Sequence, residues 1–292
     1  MAQFNFKAIG TTWRIDIFKP LSDVQSRDLL SKINARIEIF DKTYSRFRED
    51  SLVTQMSRTV GTYVLPEDAK PMLSLYQDLY MRTGGLVTPL IGNLISDAGY
   101  DAKYSLKQKG DLKPSPKWED VLDCQQSGDE TRLIIKKPVL LDFGAAGKGY
   151  LIDIVANLLE QNGVAEYCID AGGDILHKGS IPTRVGLENP QNFKEVIGIY
   201  PLQNKSICGS AGNRRAWGNF THIINPKTLT SPRDILAVWV VADSAMIADG
   251  LTTCLFFVDP ATLTDGYKFE YLIVRSDHSI EKPNGFEGEM FM

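Results

Sequence analysis

Residues 140–153 read LLDFGAAGKGYLID, in which an apolar run changes abruptly into a stretch of glycine and alanine. The apolar run predicts a strand that delivers Asp142 into a loop, and the pattern that follows predicts a helix over residues 147–161. Small residues let a ligand approach the backbone closely, while a helix N-terminus and a lysine favour anionic oxygens. The chain is therefore restricted to folds that contain a strand, a tight turn and a helix, with Asp142 and Lys148 flanking the turn.

The spacing within this stretch differs from both familiar phosphate-binding motifs. Five residues separate Asp142 from Lys148, and the pattern fits neither G-x-x-x-x-G-K-[ST] nor G-x-G-x-x-G. A tight strand-to-helix turn with a merely solvated Lys148 explains the same residues. Taken alone, the stretch leaves phosphate binding and a purely structural turn both open.

A second stretch, residues 242–257, reads ADSAMIADGLTTCLFF and predicts a helix that Asp243 or Ser244 caps. Asp249 and Thr253 stand four residues apart, so they share one face of that helix. Burying a carboxylate and a hydroxyl without partners is costly, and a hard cation such as Mg²⁺ or Mn²⁺ would satisfy both oxygens. The alternative is a solvent-facing aspartate beside a threonine bonded back to its own helix, which an isolated D-x-x-x-T pattern favours.

Two other segments carry side chains suited to chemistry. His222, in FTHIINP, stands at the end of a predicted strand, where a histidine can act as a general base near neutral pH. Phe47, in TYSRFREDS, follows the first predicted helix, where an aromatic ring can cover a flat ligand. An ordinary hydrogen-bonded histidine and a loop-anchoring phenylalanine explain the same residues, so neither one alone indicates a site.

The order of the predicted elements indicates an α+β fold. The N-terminal residues alternate as one half-buried strand, and Ser22 with Gln25 forms the capping box of a long first helix. A second helix covers residues 67–82, and the second half of the chain is mostly strands, a combination that favours α+β over a doubly wound sheet. Residues 100–120, rich in lysine, predict a surface excursion within a single domain spanning residues 1–292.

Composition narrows the classes of function. A net charge of -4 and a pI near 5.5 argue against a general binder of nucleic acid or of anionic membranes. No apolar run approaches the length of a membrane span, and the N-terminus lacks the pattern of a signal peptide. The four cysteines are widely spaced and lack zinc or C-x-x-C patterns, which predicts reduced thiols. Together these features predict a cytoplasmic protein without membrane insertion.

Taken together, the segments resemble the FAD:protein FMN transferase family, also called the ApbE family. The resemblance runs from about Ile9 to Phe257; no single segment is specific, but seven in this order are. The matching segments are AIGTTW, YSRFREDS, TGGLVTPLIGNL, LDFGAAGKGYLID, AGGDI, THIINP and ADSAMIADGLTT. The resemblance implies an ApbE-like α+β domain that binds one FAD together with Mg²⁺.

The resemblance also implies roles for individual residues. The backbone carbonyl of Ala145 and the side chains of Asp249 and Thr253 match metal ligands. His222 and Asp249 are the candidate catalytic residues, with His222 as the hypothesised base that takes the hydroxyl proton. The positions implied to contact FAD are Ile9, Phe47, Leu86, Val87, Thr88, Asp142, Lys148 and Ile223. The implied reaction moves FMN from FAD onto a serine or threonine hydroxyl of an acceptor flavoprotein and releases AMP.

Several positions depart from the family pattern. Ile9 replaces the usual methionine, Phe47 a common tyrosine and Thr88 the usual aspartate. In the segment that matches H-I-I-D-P-x-T-G, Asn225 replaces the aspartate and Leu229 the glycine. None of these positions matches a metal ligand, so the departures bear on flavin contacts and on the acceptor. They leave two alternatives: an FAD-binding protein without transfer activity, and a pyrophosphatase that releases FMN and AMP.

Overall fold

The computed structural model describes residues 1–128 and 130–291, and it has the mixed α+β architecture that the sequence predicts. The helices are α1 (Asp23–Tyr44), α2 (Leu52–Met56), α3 (Ala69–Arg82), α4 (Gly92–Ala98), α5 (Trp118–Val121), α6 (Gly147–Gln161) and α7 (Ala245–Cys254). The strands are β1 (Ala2–Ala8), β2 (Thr11–Ile17), β3 (Gly61–Leu65), β4 (Leu122–Ser127), β5 (Glu130–Ile135), β6 (Tyr167–Ala171), β7 (Asp174–Lys178), β8 (Thr183–Asn189), β9 (Asn192–Leu202), β10 (Ser206–Ala211), β11 (Ala216–Trp217), β12 (Phe220–Thr221), β13 (Ile235–Ala242), β14 (Glu270–Arg275), β15 (Ile280–Glu281) and β16 (Glu289–Met290).

One large antiparallel sheet organises the molecule, with the strand order β1-β2-β6-β7-β10-β13-β14-β15. Smaller antiparallel sheets have the orders β16-β9-β8, β3-β5-β4 and β11-β12. Strand β13 is apolar on both faces: Val238 and Val240 enter the core beneath the helices, while Val241 enters a second core. A strand of that composition is expected only where both faces of a sheet are covered.

The large sheet has helices on one face and a small sheet on the other. Helices α6 and α7 pack against each other and against the sheet, with α1 and α3 outside them. On the opposite face, Leu187, Tyr200 and Leu272 belong to the core between the large sheet and the β16-β9-β8 sheet. A Cβ atom placed on Gly250 of α7 would lie 3.6 Å from the Cβ of Ala146. The packing therefore sets the loop before α6 directly against α7.

Helix caps fix the two central helices relative to each other. The predicted capping box of Ser22 on α1 is present, and the Ser244 hydroxyl caps α7 as predicted, accepting from the Ile247 N–H at 3.3 Å. The carboxylate of Asp153 in α6 provides a second cap, because it accepts the backbone N–H groups at the start of α7 at 2.9 Å. Helix α6 thus holds the N-terminus of α7 in place.

The prediction of a strand that leads into Asp142 is wrong. Residues 138–143 belong to no strand, and their hydrogen bonds go elsewhere. The Asp142 N–H donates to the carbonyl of Pro89 at 2.8 Å, and the Leu140 N–H donates to the side chain of Asn93 at 2.7 Å. Because a one-turn 3-10 helix (Pro89–Ile91) and a side chain supply these partners, the buried apolar run needs no strand beside it.

Two other strand predictions need correction. The N-terminal segment is two paired strands, because Ile9 and Gly10 form a tight turn with φ angles of 43° and 77°. The segment FTHIIN contributes only the two-residue strand β12. All four cysteines are free, as predicted. Within the part of the chain that the structure describes, no helix is long and apolar enough to cross a bilayer.

Replacing Gly149 with alanine should destabilise the protein by about 2–3 kcal/mol, because α6 and α7 meet closely there. A Cβ atom on Gly149 would lie 2.8 Å from the Cβ of Asp249 and closer still to the carbonyl of Ala245. Gly147→Ala is the control, since its Cβ would meet side chains only at 3.6 Å or more. Urea unfolding measures the free energy of unfolding of both variants. If Gly149→Ala were as stable as Gly147→Ala, the described helix packing would be contradicted.

Candidate active site

A cavity of about 400 Å³ lies between the turn after β1, the end of α1, the loop before α6 and the end of α7. The predicted site residues that line it are Ile9, Phe47, Leu86, Val87, Thr88, Asp142, Ala145, Lys148, His222, Ile223 and Thr253. Asp249 is the one predicted residue that does not line the cavity; its side chain is buried in α7. Residues scattered over more than two hundred positions of the sequence therefore meet around one space.

Asp142 is held at the cavity wall by Arg46. The Arg46 Nε donates to Asp142 Oδ2, and its Nη1 donates to the carbonyl of Tyr100 at 2.7 Å. The other oxygen of Asp142 accepts the Gly144 N–H at 2.6 Å. The Arg46 side chain is 3% exposed and that of Asp142 12%, so the pair is nearly shielded from water. Asp142 is a fixed acceptor that braces the loop, and Arg46 is a site residue that the sequence analysis missed.

Replacing Arg46 with methionine should cost about 3–5 kcal/mol of unfolding free energy, because it leaves the Asp142 carboxylate buried without its partner. Arg48→Met is the matched control. Arg48 also pairs with three carboxylates, but these are 23% to 59% exposed and remain in contact with water when the arginine is removed. We expect a clearly smaller loss for that control in urea unfolding. Equal losses of unfolding free energy in the two variants would show that the buried ion pair stabilises the protein no more than the exposed ones.

Lys148 is fixed by a buried carboxylate. Its Nζ forms an ion pair with Asp174 Oδ2, and the other oxygen of Asp174 accepts the Gly209 N–H at 3.1 Å. The Asp174 side chain is 1% exposed. The interpretation of Lys148 as a merely solvated lysine is therefore wrong. Asp174 stands in the quoted segment AGGDI, but only the folded chain shows that it holds Lys148.

Asp249 is buried, so its interpretation as a solvent-facing residue is wrong. One of its oxygens accepts the Gly149 N–H at 2.9 Å, and among the described residues no donor reaches the other. Burial raises the pKa of Asp249, while the charge of Lys148 and the Gly149 hydrogen bond oppose that shift. A buried carboxylate with one unfilled oxygen is suited to a cation.

The neighbours of Asp249 also suit a cation. Thr253 follows one turn later on α7, and Ala145 lies in the loop that packs against that helix, so both line the cavity. The described residues contain no group of three or more His, Cys, Asp or Glu side chains able to hold a metal. One carboxylate, one hydroxyl and one backbone carbonyl, completed by phosphate oxygens of a ligand, is the type of site that Mg²⁺ favours.

His222 lines the same cavity with an uncharged ring. Burial, assisted by the charge of Arg215, lowers the pKa of His222 to about 4. The His222 backbone N–H donates to the carbonyl of Arg215 at 3.1 Å, and its ring Nδ1 is buried without a partner among the described residues. An imidazole that stays neutral has a ring nitrogen with a free lone pair and can accept a proton at pH 7.

Aromatic rings line part of the cavity wall. Phe47 and Tyr104 stack with centroids 5.4 Å apart and planes at 11°, and Tyr100 meets Phe47 edge-on. The guanidinium carbon of Arg46 lies 4.1 Å from the Phe47 ring centre. Tyr104 belongs to the segment predicted as a surface excursion, and it is a second site residue that the sequence analysis missed. The segment is largely exposed, yet it contributes to the cavity wall.

The positions that depart from the family pattern have local roles in the structure. Thr88 accepts the Leu90 N–H at 3.2 Å and so caps the 3-10 helix beside the cavity. Asn225 accepts two backbone N–H groups of the following turn. Leu229 has a φ of 64°, a left-handed conformation that glycine adopts readily, which accounts for a glycine at this position in the family pattern.

Comparison with known proteins identifies a family to which the chain is similar. A protein-family model described as the ApbE family matches residues 9–269. A Klebsiella pneumoniae protein named FAD:protein FMN transferase is 23% identical over 87% of this chain and 77% of its own length. An Escherichia coli K12 protein of the same name is 22% identical over 92% of this chain and 81% of its own length.

Solved structures share the fold. The flavin transferase ApbE from Vibrio cholerae superposes with a TM-score of 0.80 at 21% identity, covering 97% of this chain and 96% of that one. The ApbE protein from Thermotoga maritima gives a TM-score of 0.81 at 20% identity, covering 98% of this chain and 99% of that one. At this level of identity the likeness confirms the predicted α+β fold.

Proposed function

Because the chain belongs to the ApbE family, we propose that it is a flavin transferase that moves FMN from FAD onto a hydroxyl group of an acceptor protein. A serine or threonine oxygen of the acceptor attacks the FMN-side phosphorus of FAD. The pyrophosphate P–O bond breaks, a phosphoester to the acceptor forms, and AMP leaves. The names of the Klebsiella and Escherichia relatives support this assignment.

One observation carries the proposal: a fixed lysine and a neutral histidine line one cavity, and a carboxylate is buried in the helix whose Thr253 also lines that cavity. Phosphoryl transfer needs alignment of the reacting groups and neutralisation of charge more than covalent participation of the protein. Lys148 and the N-terminal end of the α6 dipole supply positive charge toward the pyrophosphate, while the Gly147 and Gly149 N–H groups already donate to Phe143 and Asp249. Asp142, braced by Arg46, holds the loop that leads into α6.

Ala145, Asp249 and Thr253 are the residues that would hold a divalent cation. Mg²⁺ bound there would neutralise the pyrophosphate and stabilise the charge that develops on the leaving phosphate. The second oxygen of Asp249 supports this role, because it has no hydrogen-bond partner among the described residues and a cation would offset the cost of burying the carboxylate charge.

His222 is the residue proposed to accept the hydroxyl proton. Its lowered pKa keeps the ring unprotonated at neutral pH, and its backbone hydrogen bond to Arg215 positions it at the wall. The Phe47 and Tyr104 rings offer flat surfaces at the cavity wall. We assign the flavin ring to these side chains and the pyrophosphate to Lys148, with Ile9, Leu86, Val87, Thr88 and Ile223 along the walls.

The proposed function is tested by incubating the protein with FAD and Mg²⁺, with and without a threonine-containing peptide. AMP, free FMN and the mass of the peptide are measured, and EDTA is the control for the metal. AMP together with an FMN adduct on the peptide is the expected result. AMP and FMN without an adduct would identify a pyrophosphatase instead, and FAD that stays intact on the protein would contradict both reactions.

A further inference from the structure

A second cavity, of about 390 Å³, lies on the other face of the large sheet, between that sheet and strand β8. Its walls include four glycines (Gly172, Gly173, Gly186 and Gly209), so much of the surface it offers is backbone. Two pairs of charged side chains lie at its rim, Arg14 with Asp16 and Arg214 with Glu188, both at 2.8 Å, whereas Asp170 and Arg184 have no ion-pair partner among the described residues. A surface of backbone groups and charges of both signs suits a polypeptide better than a compact anion.

The two cavities are separated by a thin wall. Ser210 in β10 lines both of them, and its hydroxyl lies 2.9 Å from that of Thr252 in α7. The carboxylate of Asp174 also connects the two sides, because it pairs with Lys148 in the first cavity and accepts the N–H of Gly209 in the second. The two cavities therefore meet at Ser210, next to the residue whose N–H is bonded to the carboxylate that holds Lys148.

Strand β10 has an open edge at this wall. The Gly212 N–H donates to the carbonyl of Leu236 in β13, so by the alternation of an antiparallel ladder the peptide groups of Ala211 point away from β13. On that side β7 pairs only with Ser206 and Ile207, and the chain turns away at Gly172 and Gly173. Among the described strands, none therefore reaches Ala211. Strand β8 across the cavity is likewise the last strand of its sheet.

We infer that the second cavity binds an extended segment of the acceptor polypeptide, which pairs with the open edge of β10 at Ala211 and presents its hydroxyl past Ser210. The inference rests on the proposed function and adds the place where the protein substrate docks. Edge pairing gives affinity through backbone hydrogen bonds, which is how extended peptides commonly bind to sheets.

Ala211→Trp tests this docking site, because alternation along β10 directs the residue 211 side chain into the second cavity, whereas that of Ser210 faces α7. Ala211→Ser is the matched control. The acceptors are a pool of acetylated nonapeptides with a central threonine and randomised flanks, and N-acetylthreonine methylamide, which is too short to pair with a strand. FAD affinity, AMP release and flavinylation of each acceptor are measured for every variant.

We expect the parent protein and Ala211→Ser to flavinylate the pool at least about tenfold faster than the short acceptor. Ala211→Trp should lose that preference while binding FAD normally. Thr183→Trp fills the same cavity from β8 and should also lose the preference while binding FAD normally. This variant tests the docking site if Ala211→Trp does not fold. No preference in the parent, or an unchanged preference in both tryptophan variants, would overturn the docking site. Absence of AMP with every acceptor would instead refute the proposed function, and the inference with it.

Discussion

Asp249→Asn should reduce AMP release from FAD at least about 1000-fold, an effect of roughly 4 kcal/mol on the transition state, while raising the Tm of the metal-free protein. The activity falls because the amide cannot provide the negative charge that holds a divalent cation near the pyrophosphate. The amide oxygen still accepts the Gly149 N–H, so the packing of α6 against α7 is kept. Lys148 retains its partner Asp174 and is not left unpaired.

The rise in Tm follows from the raised pKa of Asp249. A carboxyl group whose pKa is raised by folding stabilises the fold fully below its ordinary value of 3.8, and that contribution is lost as pH rises through the raised value. At pH 7 the charged, buried carboxylate therefore destabilises the metal-free protein, and asparagine removes this penalty. The expected gain is on the order of 2–4 °C for each kcal/mol relieved.

Asp243→Asn is the control for this variant, because it makes the same chemical change at an exposed position just before α7. That control should change neither AMP release nor Tm. Full activity in Asp249→Asn would rule out the metal role of Asp249. A lower Tm would show instead that the carboxylate is needed for folding, contrary to its open oxygen in the structure.

His222→Ala should reduce FMN transfer by about 100- to 10,000-fold, the range expected for the loss of a general base. The affinity for FAD should stay close to that of the parent, because the alanine removes a proton acceptor and no charge. His278→Asn is the control: His278 is exposed, and its φ of 69° is one that asparagine tolerates. Transfer by His222→Ala at the parent rate would remove His222 from the reaction.

The pH dependence gives an independent readout for His222. A base works only when deprotonated, and the pKa of His222 is lowered to about 4. At saturating Mg²⁺, kcat/KM of the parent should stay level from pH 8 to about 6 and fall only toward that pKa. An acidic limb near the ordinary pKa of histidine would contradict the buried, neutral ring that the structure describes.

Local patterns in the sequence predicted the elements that carry the site. The glycine-rich loop before α6, the Ser244 cap and the shared helix face of Asp249 and Thr253 all depend on residues close together in sequence. Read locally, however, those patterns also allowed a solvated Lys148 and an exposed Asp249. The order of seven matching segments favoured the site, and the structure shows Lys148 paired and Asp249 buried.

Contacts between distant parts of the chain explain what the sequence did not predict. Arg46 meets a carboxylate 96 positions away, and Asp174 meets a lysine on another element, so neither pair has a local pattern. Tyr104 reaches the cavity from a segment whose lysine and proline content is typical of surface loops. The strand expected before Asp142 is missing because its hydrogen-bond partners are a 3-10 helix and a side chain.

A crystal structure of the protein with FAD and Mn²⁺, with anomalous diffraction from the manganese, tests the site most directly. The expected result is one manganese peak within about 2.0–2.4 Å of the Ala145 carbonyl, the Asp249 carboxylate and the Thr253 hydroxyl. The same manganese ion should also contact the FAD pyrophosphate. In the same crystal, the flavin ring should lie at Phe47 and Tyr104. FAD bound outside this cavity would contradict the proposed site, and so would a manganese ion that contacts the pyrophosphate but not the Asp249 carboxylate.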